Sequence, residues 1–146
     1  MATVLKYLND QSPTLLLSTH LNSLANNAIA TGVPFSNTTN QYLMANLELF
    51  VNFTSGPTAS TAVSVWFLQN VFGSGYEAGA PGVTPVRLPD AVIPVFPNAN
   101  SGQRLATTCL IPPGEFIPCL KNDGTGQAFG GANNYLAVKP FTYTNV

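Results

Sequence analysis

Between Tyr42 and Phe53 the chain reads YLMANLELFVNF, and Leu43, Ala45, Leu47, Leu49, Val51 and Phe53 fill every odd position. A period of two predicts a β-strand with one face in a core. A second run, TAVSVWFLQ from Thr61 to Gln69, repeats the alternation with Val63, Val65 and Phe67. Its even positions include Trp66 and Leu68, so both of its faces are apolar. Such a strand is either buried twice over or offers one face to another chain. The intervening TSGPT is a turn signal, and an antiparallel hairpin about Gly56 is expected, with Val51 opposite Thr61 and Leu47 opposite Val65.

That register puts Trp66 opposite Asn46, Leu68 opposite Met44 and Ala62 opposite Phe50. Tyr42, Met44, Phe50, Trp66 and Leu68 then share one surface and, with Tyr76 in the next loop, form a candidate interface, since Trp, Tyr and Met are enriched at protein contacts. Two other readings stay open. The same face is ordinary core if the N-terminal segment or a second sheet covers it, and it stacks on a sugar ring if Asn46 and Glu48 supply the polar contacts.

Downstream, DAVIPVF, QRLATTCLI, EFIPCLK and NYLAVKPFTY predict four further short strands. Pro94, Pro118 and Pro140 place them at sheet edges or bulges, because proline donates no ladder hydrogen bond. NDGTG, Asn122 to Gly126, is a turn. The expected fold is all-β, an antiparallel β-sandwich of jelly-roll-like form spanning 41–146. Residues 1–40 form an N-terminal arm packed on it within a single domain. Leu17, Leu21, Leu24 and Ala28 have helical spacing, whereas Asn22, Asn26 and Asn27 disfavour a helix interior, so a short helix and an extended segment are both compatible with the arm.

Composition narrows the function. Only 8% of the 146 residues are charged and the net charge is −1, against about 25% charged in ordinary domains. Five scattered basic residues make no patch for nucleic acid or an anionic membrane. So little charge favours association. No segment reaches the about 20 apolar residues of a membrane span, and the first residues lack a secretory signal's unbroken apolar run. Synthesis and folding in a cytoplasm are therefore expected, which discounts the sequons at Asn37 and Asn52.

No catalytic, metal-binding or cofactor-binding residue is assigned. Gly73 to Gly79, GSGYEAG, has the wrong glycine spacing for a dinucleotide loop, and Pro81 and Pro85 forbid the helix that would follow. His20 is the single histidine, and the six carboxylates include no close pair. Cys109 and Cys119 flank LIPPGEFIP, so a hairpin about Gly114 would set them opposite one another within disulfide reach; a reducing cytoplasm favours two buried thiols.

The segments LNSLANNA, YLMANLELFVNF, VSVWFLQNVFGSGYEAG, LIPPGEFIPCLKNDGTGQAF and NNYLAVKPFTYTNV resemble, in this order, a family of small structural proteins of tailed bacteriophages. The likeness rests on a strand ending in a Gly and Tyr loop, a PPGxF turn, and KNDGTGQ before a last strand; the cysteines are not part of it. It implies a non-enzymatic virion protein made in the host cytoplasm. A capsid cement or decoration protein on the outer head surface is expected, contacting the major capsid protein and copies of itself as a homo-oligomer. The alternative is a carbohydrate- or receptor-binding module of the tail.

Overall fold

A computed structural model describes residues 5–8, 11–70, 75–77, 82–97 and 101–145. The described strands are β1 (Leu5–Leu8), β2 (Thr14–Leu17), β3 (Ile29–Thr31), β4 (Phe35–Asn37), β5 (Met44–Val51), β6 (Ala62–Gln69), β7 (Ala91–Pro94), β8 (Gln103–Leu110), β9 (Gly114–Asp123) and β10 (Tyr135–Asn145). They make two antiparallel sheets. In the first, β10 lies between β5 and an outer lane shared by β1 and β2, and β8 closes the far edge. In the second, β9 lies between β6 and an outer lane shared by β3 and β4, with β7 at the far edge. The chain alternates between the sheets in the jelly-roll-like manner of a β-sandwich.

The two alternating runs are therefore not a hairpin. Leu47 in β5 is level with Val138 and Thr107, whereas Val65 in β6 is level with Leu120 and Ala91. TSGPT carries the chain across the sandwich. Alternation specifies which face of a strand is buried but not which strand lies beside it. The odd faces of β5 and β6 do share one core, from opposite sides. Leu47, Leu49, Val51, Val63, Val65 and Phe67 are fully buried there, with Leu136 and Val138 from β10 and Phe116 and Leu120 from β9. Leu43 departs from the pattern: it precedes β5 and is 61% exposed.

Residues 1–40 supply edge strands to both sheets, so the arm is part of the sandwich. Its helical spacing yields only a short 3-10 turn, Thr19–Leu21. Leu17, Leu21 and Leu24 nevertheless enter the core. A register shift between Leu136 and Ala137 leaves Leu16 as an extra residue in β2, which turns both Leu16 and Leu17 inward. Gly32 follows β3 where two chain segments meet. A Cβ there would lie 2.4 Å from the Leu16 carbonyl oxygen, so no larger residue fits without moving the backbone.

Pro94 ends an edge strand as expected, but Pro118 and Pro140 lie inside central strands. Hydrogen-bond direction explains why. Val95 donates to the Thr61 carbonyl (3.1 Å) and Ile111 to that of Leu43 (3.1 Å). In an antiparallel pair one residue turns its N–H and C=O to the same neighbour. Odd residues of β6 thus bond β7 and even ones β9; odd residues of β5 bond β8 and even ones β10. The even residues of β9 and β10, Pro118 and Pro140 among them, face the outer lanes. Pro118 falls where β4 has ended and β3 has not begun, and Pro140 falls between β2 and β1. Neither position lies within a paired lane: at Pro118 only the carbonyl is used, accepting from the Gly32 amide (2.8 Å) just past β3, and the proline has no donor to leave unpaired.

Buried amides close the loops. Asn122, fully buried, donates through Nδ2 to the carbonyls of Leu24 (3.2 Å) and Gln127 (2.7 Å) and accepts from the Thr125 hydroxyl (2.5 Å). Asn26 and Asn27 accept from the amides of Gly126 (2.9 Å) and Gly124 (3.0 Å), glycines whose φ values of 75° and 71° suit this turn. Asn134 donates to Asn22 Oδ1 (3.0 Å) and the Gly130 carbonyl (2.7 Å) and accepts from the Asn52 amide (2.8 Å). Asn37 joins the Tyr42 backbone to the Pro112 carbonyl, which occupies the amide of that sequon.

Leu47→Ala should cost about 2–4 kcal/mol of stability in urea unfolding, as a cavity between the sheets. Leu43→Ala, at the same sequence parity but exposed, should leave the midpoint nearly unchanged.

Candidate interaction surfaces

Trp66 and Leu68 point from β6 away from the main core, yet are only 3% and 6% exposed. With Cys119 of β9 they form a second cluster, against which Ile29 and Tyr76 pack. The chain after β6 returns over this cluster. Trp66 Nε1 donates to the Arg87 carbonyl (3.0 Å), the Glu77 amide to the Gln69 carbonyl (3.1 Å), and the Tyr76 hydroxyl to Glu115 Oε1 (2.5 Å). That Glu115 hydrogen bond holds the Tyr76 phenol above its ordinary pKa. Of the loop Gly73 to Gly79, residues 73, 74, 78 and 79 lie outside the described residues. β6 is thus buried twice by its own chain.

An ion-paired clamp fastens this cover. β7 accompanies β6 only from Ala62 to Val65, so the backbone of Phe67 faces an empty lane. Asp90 Oδ2 accepts the Phe67 amide (2.7 Å), and Arg87 Nη2 donates to the Phe67 carbonyl (2.9 Å). The two side chains are themselves joined at both terminal guanidinium nitrogens, Nη1 to Oδ1 (2.8 Å) and Nη2 to Oδ2 (2.9 Å), and Arg87 Nε donates to Glu77 Oε1. Asp90, and after it Glu77, raise the Arg87 pKa further. A side-chain pair here continues the ladder where the strand stops.

The outer face of the first sheet is partly open, with Ala137 and Phe141 buried on its β10 side, and falls into four rungs. Tyr135, Phe50 and Arg104 are level with one another, then Ala137, Glu48 and Ala106, then Lys139, Asn46 and Thr108, then Phe141, Met44 and Leu110. Phe50 stacks on Tyr135 with ring centroids 5.6 Å apart, and the Arg104 guanidinium lies 5.7 Å from the Phe50 centroid. Glu48 Oε1 accepts from both Tyr135 Oη (2.6 Å) and Arg104 Nη1 (2.8 Å). The small side chains of Ala106 and Ala137 leave a groove of about 200 Å³ bordered by Glu48, Asn46, Lys139 and Pro13.

The six candidate interface residues do not share a surface. Met44 and Phe50 are half-buried on the open face of the first sheet, whereas Trp66, Leu68 and Tyr76 belong to the covered cluster of the second. Tyr42 packs against the main core and borders a polar cleft of about 310 Å³ with Asn37, Phe35 and Pro140. Assigning β5 and β6 to one hairpin merged two faces that point in opposite directions. The two most exposed large apolar side chains among the described residues lie elsewhere, Val86 at 105% and Leu88 at 86%, in a stretch that also exposes Val83, Val92 and Phe96. The signal was GVTPVRLP, where prolines leave valine and leucine without a strand to join.

Cys109 and Cys119 are free and buried, and no hairpin about Gly114 joins them. Cys109 is in β8 of the first sheet, facing the main core, and Cys119 is in β9 of the second, in the outer cluster. Burial raises both thiol pKa values; for Cys109 it does so to about 12, with the Asp90 charge adding. His20 is exposed, and among the described residues no three His, Cys, Asp or Glu side chains cluster as metal ligands. No protein-family model, curated protein or solved structure matches the chain.

Trp66→Ala should lower stability by about 3–5 kcal/mol, read as an earlier urea midpoint, because the residue is packed under its own loop. The thiols predict a pH dependence. Cys109 titrates near its ordinary 9.0 when unfolded and about 12 when folded, so its contribution is complete below pH 9 and declines as pH rises toward 12. Urea midpoints measured across that range should fall less steeply for Cys109→Ala than for the parent chain.

Proposed function

We propose that this chain is a non-enzymatic structural protein of a tailed-phage virion, a cement or decoration protein seated on the head. The observation that carries the proposal is the exposed apolar series Val83, Val86, Leu88, Val92 and Phe96. Apolar surface concentrated in one short stretch usually serves a contact. Arg87 lies within the series, but its charge is already engaged by Asp90 and Glu77, so the stretch offers valine and leucine without a free cation. The clamp also fixes the loop before binding, which lowers the ordering cost of association. Low overall charge and the resemblance in sequence support the same role, with the major capsid protein as partner. Binding to a folded shell would stabilise it by mass action.

A second reading has an observation of its own. The Phe50–Tyr135 stack beside the Ala-floored groove, with Glu48 and Asn46 at its border, has the apolar-plus-polar character of a sugar site.

The test is co-sedimentation with capsids lacking this protein. The parent chain should pellet with them, and Val86→Asp with Leu88→Asp should stay in the supernatant at an unchanged melting temperature. Binding that survives the double substitution but is lost in Phe50→Ala, or that is competed by oligosaccharide, would shift the assignment to the open sheet face.

A further inference from the structure

A β-sandwich has four sheet edges, and three of these are blunted. The outer lane of the first sheet is divided between β1 and β2, four residues each, and that of the second between β3 and β4, three residues each. β7 is four residues long, and its odd residues bond β6, so its outward positions are Val92 and Pro94; the latter has no N–H to offer. Short strands and edge prolines are the devices by which proteins prevent edge-to-edge pairing.

β8 uses none of these devices. It is eight residues long, Gln103–Leu110, without proline, glycine, lysine or a register shift against β5. Because Ile111 bonds Leu43, its odd residues face β5, and the N–H and C=O groups of Arg104, Ala106, Thr108 and Leu110 point outward. All four residues are exposed, and among the described residues no backbone partner meets these groups.

We propose that β8 is the self-association edge of this protein, pairing antiparallel with β8 of a second copy about a two-fold axis beside Thr107. Only one symmetric register engages all four outward residues: Arg104 opposite Leu110 of the second copy, and Ala106 opposite Thr108. It has no like-charge contact. Arg104 is the only charged residue of β8, and antiparallel pairing sends the two arginines to opposite ends of the ladder, where a parallel pairing would bring them together. Each Leu110, 70% exposed in the single chain, gains the aliphatic stem of an arginine across the junction. The first sheets of two copies become one continuous sheet, which makes the contact isologous and closed. This pairing stands independently of a capsid partner.

The outward and inward positions make the test selective. Light scattering of the parent chain at high micromolar concentration should give twice the monomer mass of 15.4 kDa. Ala106→Pro removes an N–H that the monomer does not use, so it should return the protein to monomer with little change in melting. Thr107→Cys should cross-link to itself under mild oxidation, because Thr107 meets its own copy as a non-hydrogen-bonded pair with Cα atoms about 4.5 Å apart, within disulfide range. Ala106→Cys, opposite Thr108, should cross-link far less. Hydrogen exchange on the parent chain guards against misfolded variants: the amides of Arg104, Ala106, Thr108 and Leu110 should gain protection as concentration rises. A monomer at all concentrations, a dimer without protection of these amides, or protection that arises only on capsids would overturn the pairing.

Discussion

Every backbone donor and acceptor taken out of water needs a partner, and this chain meets that demand with almost no charged residues. The solution organises the molecule. Where strand pairing lapses, either the residue is a proline with no donor to satisfy, as at Pro118 and Pro140, or a side chain replaces the strand, as Arg87 and Asp90 do for Phe67. Where loops enter the interior, amides do the same: Gln103 returns both bonds to the Phe96 backbone (2.8 and 3.0 Å), and Asn37, Asn122 and Asn134 each join segments distant in sequence. An amide donates and accepts at once, like a peptide group, and carries no charge whose desolvation must be offset.

This accounting divides the surface unevenly. The second sheet has its outer face covered by the chain after β6, pinned through Arg87, Asp90 and Glu77. The first sheet keeps only part of its outer face exposed, around β5 and β8, and its apolar side chains there are interleaved with Glu48, Asn46 and Arg104. The cover on the second sheet buries one set of apolar residues and, in doing so, lifts Val86 and Leu88 into solvent. The buried and the exposed apolar side chains are two sides of the same loop.

Strand positions were legible in the sequence because alternation is a local property. All six runs appear where the periodicity put them, and the odd residues of β5 and β6, from Leu47 to Val51 and from Val63 to Phe67, are core. Neighbour relations were not legible. A hairpin and a crossover between facing sheets bury the same residues, so TSGPT fitted both, and the composite patch of Tyr42, Met44, Phe50, Trp66, Leu68 and Tyr76 arose from choosing the nearer partner. The asparagines at 22, 26 and 27 were readable as helix breakers, but their bonds go to residues around a hundred positions away, and no local pattern announces such a partner. For the prolines the rule was sound and its geometry incomplete: a break between two short strands of the adjacent lane serves as well as an edge.

The place of β10 has a consequence for how the molecule comes into being. This strand is the last of the ten, yet it is central in its sheet, with β5 on one side and β1 and β2 on the other. Until it arrives, the first sheet has no continuous hydrogen-bonded surface, and Leu47 and Leu49 lack the Leu136 and Val138 that complete their side of the core. Emerging from the ribosome, the chain holds most of its apolar strands in waiting, with unpaired lanes on both sides of the gap. Folding that depends on contacts so remote in sequence is slow, and incomplete sheets are the species most prone to aggregate. With so few charged residues the partly folded chain has little electrostatic defence until β10 closes the sheet.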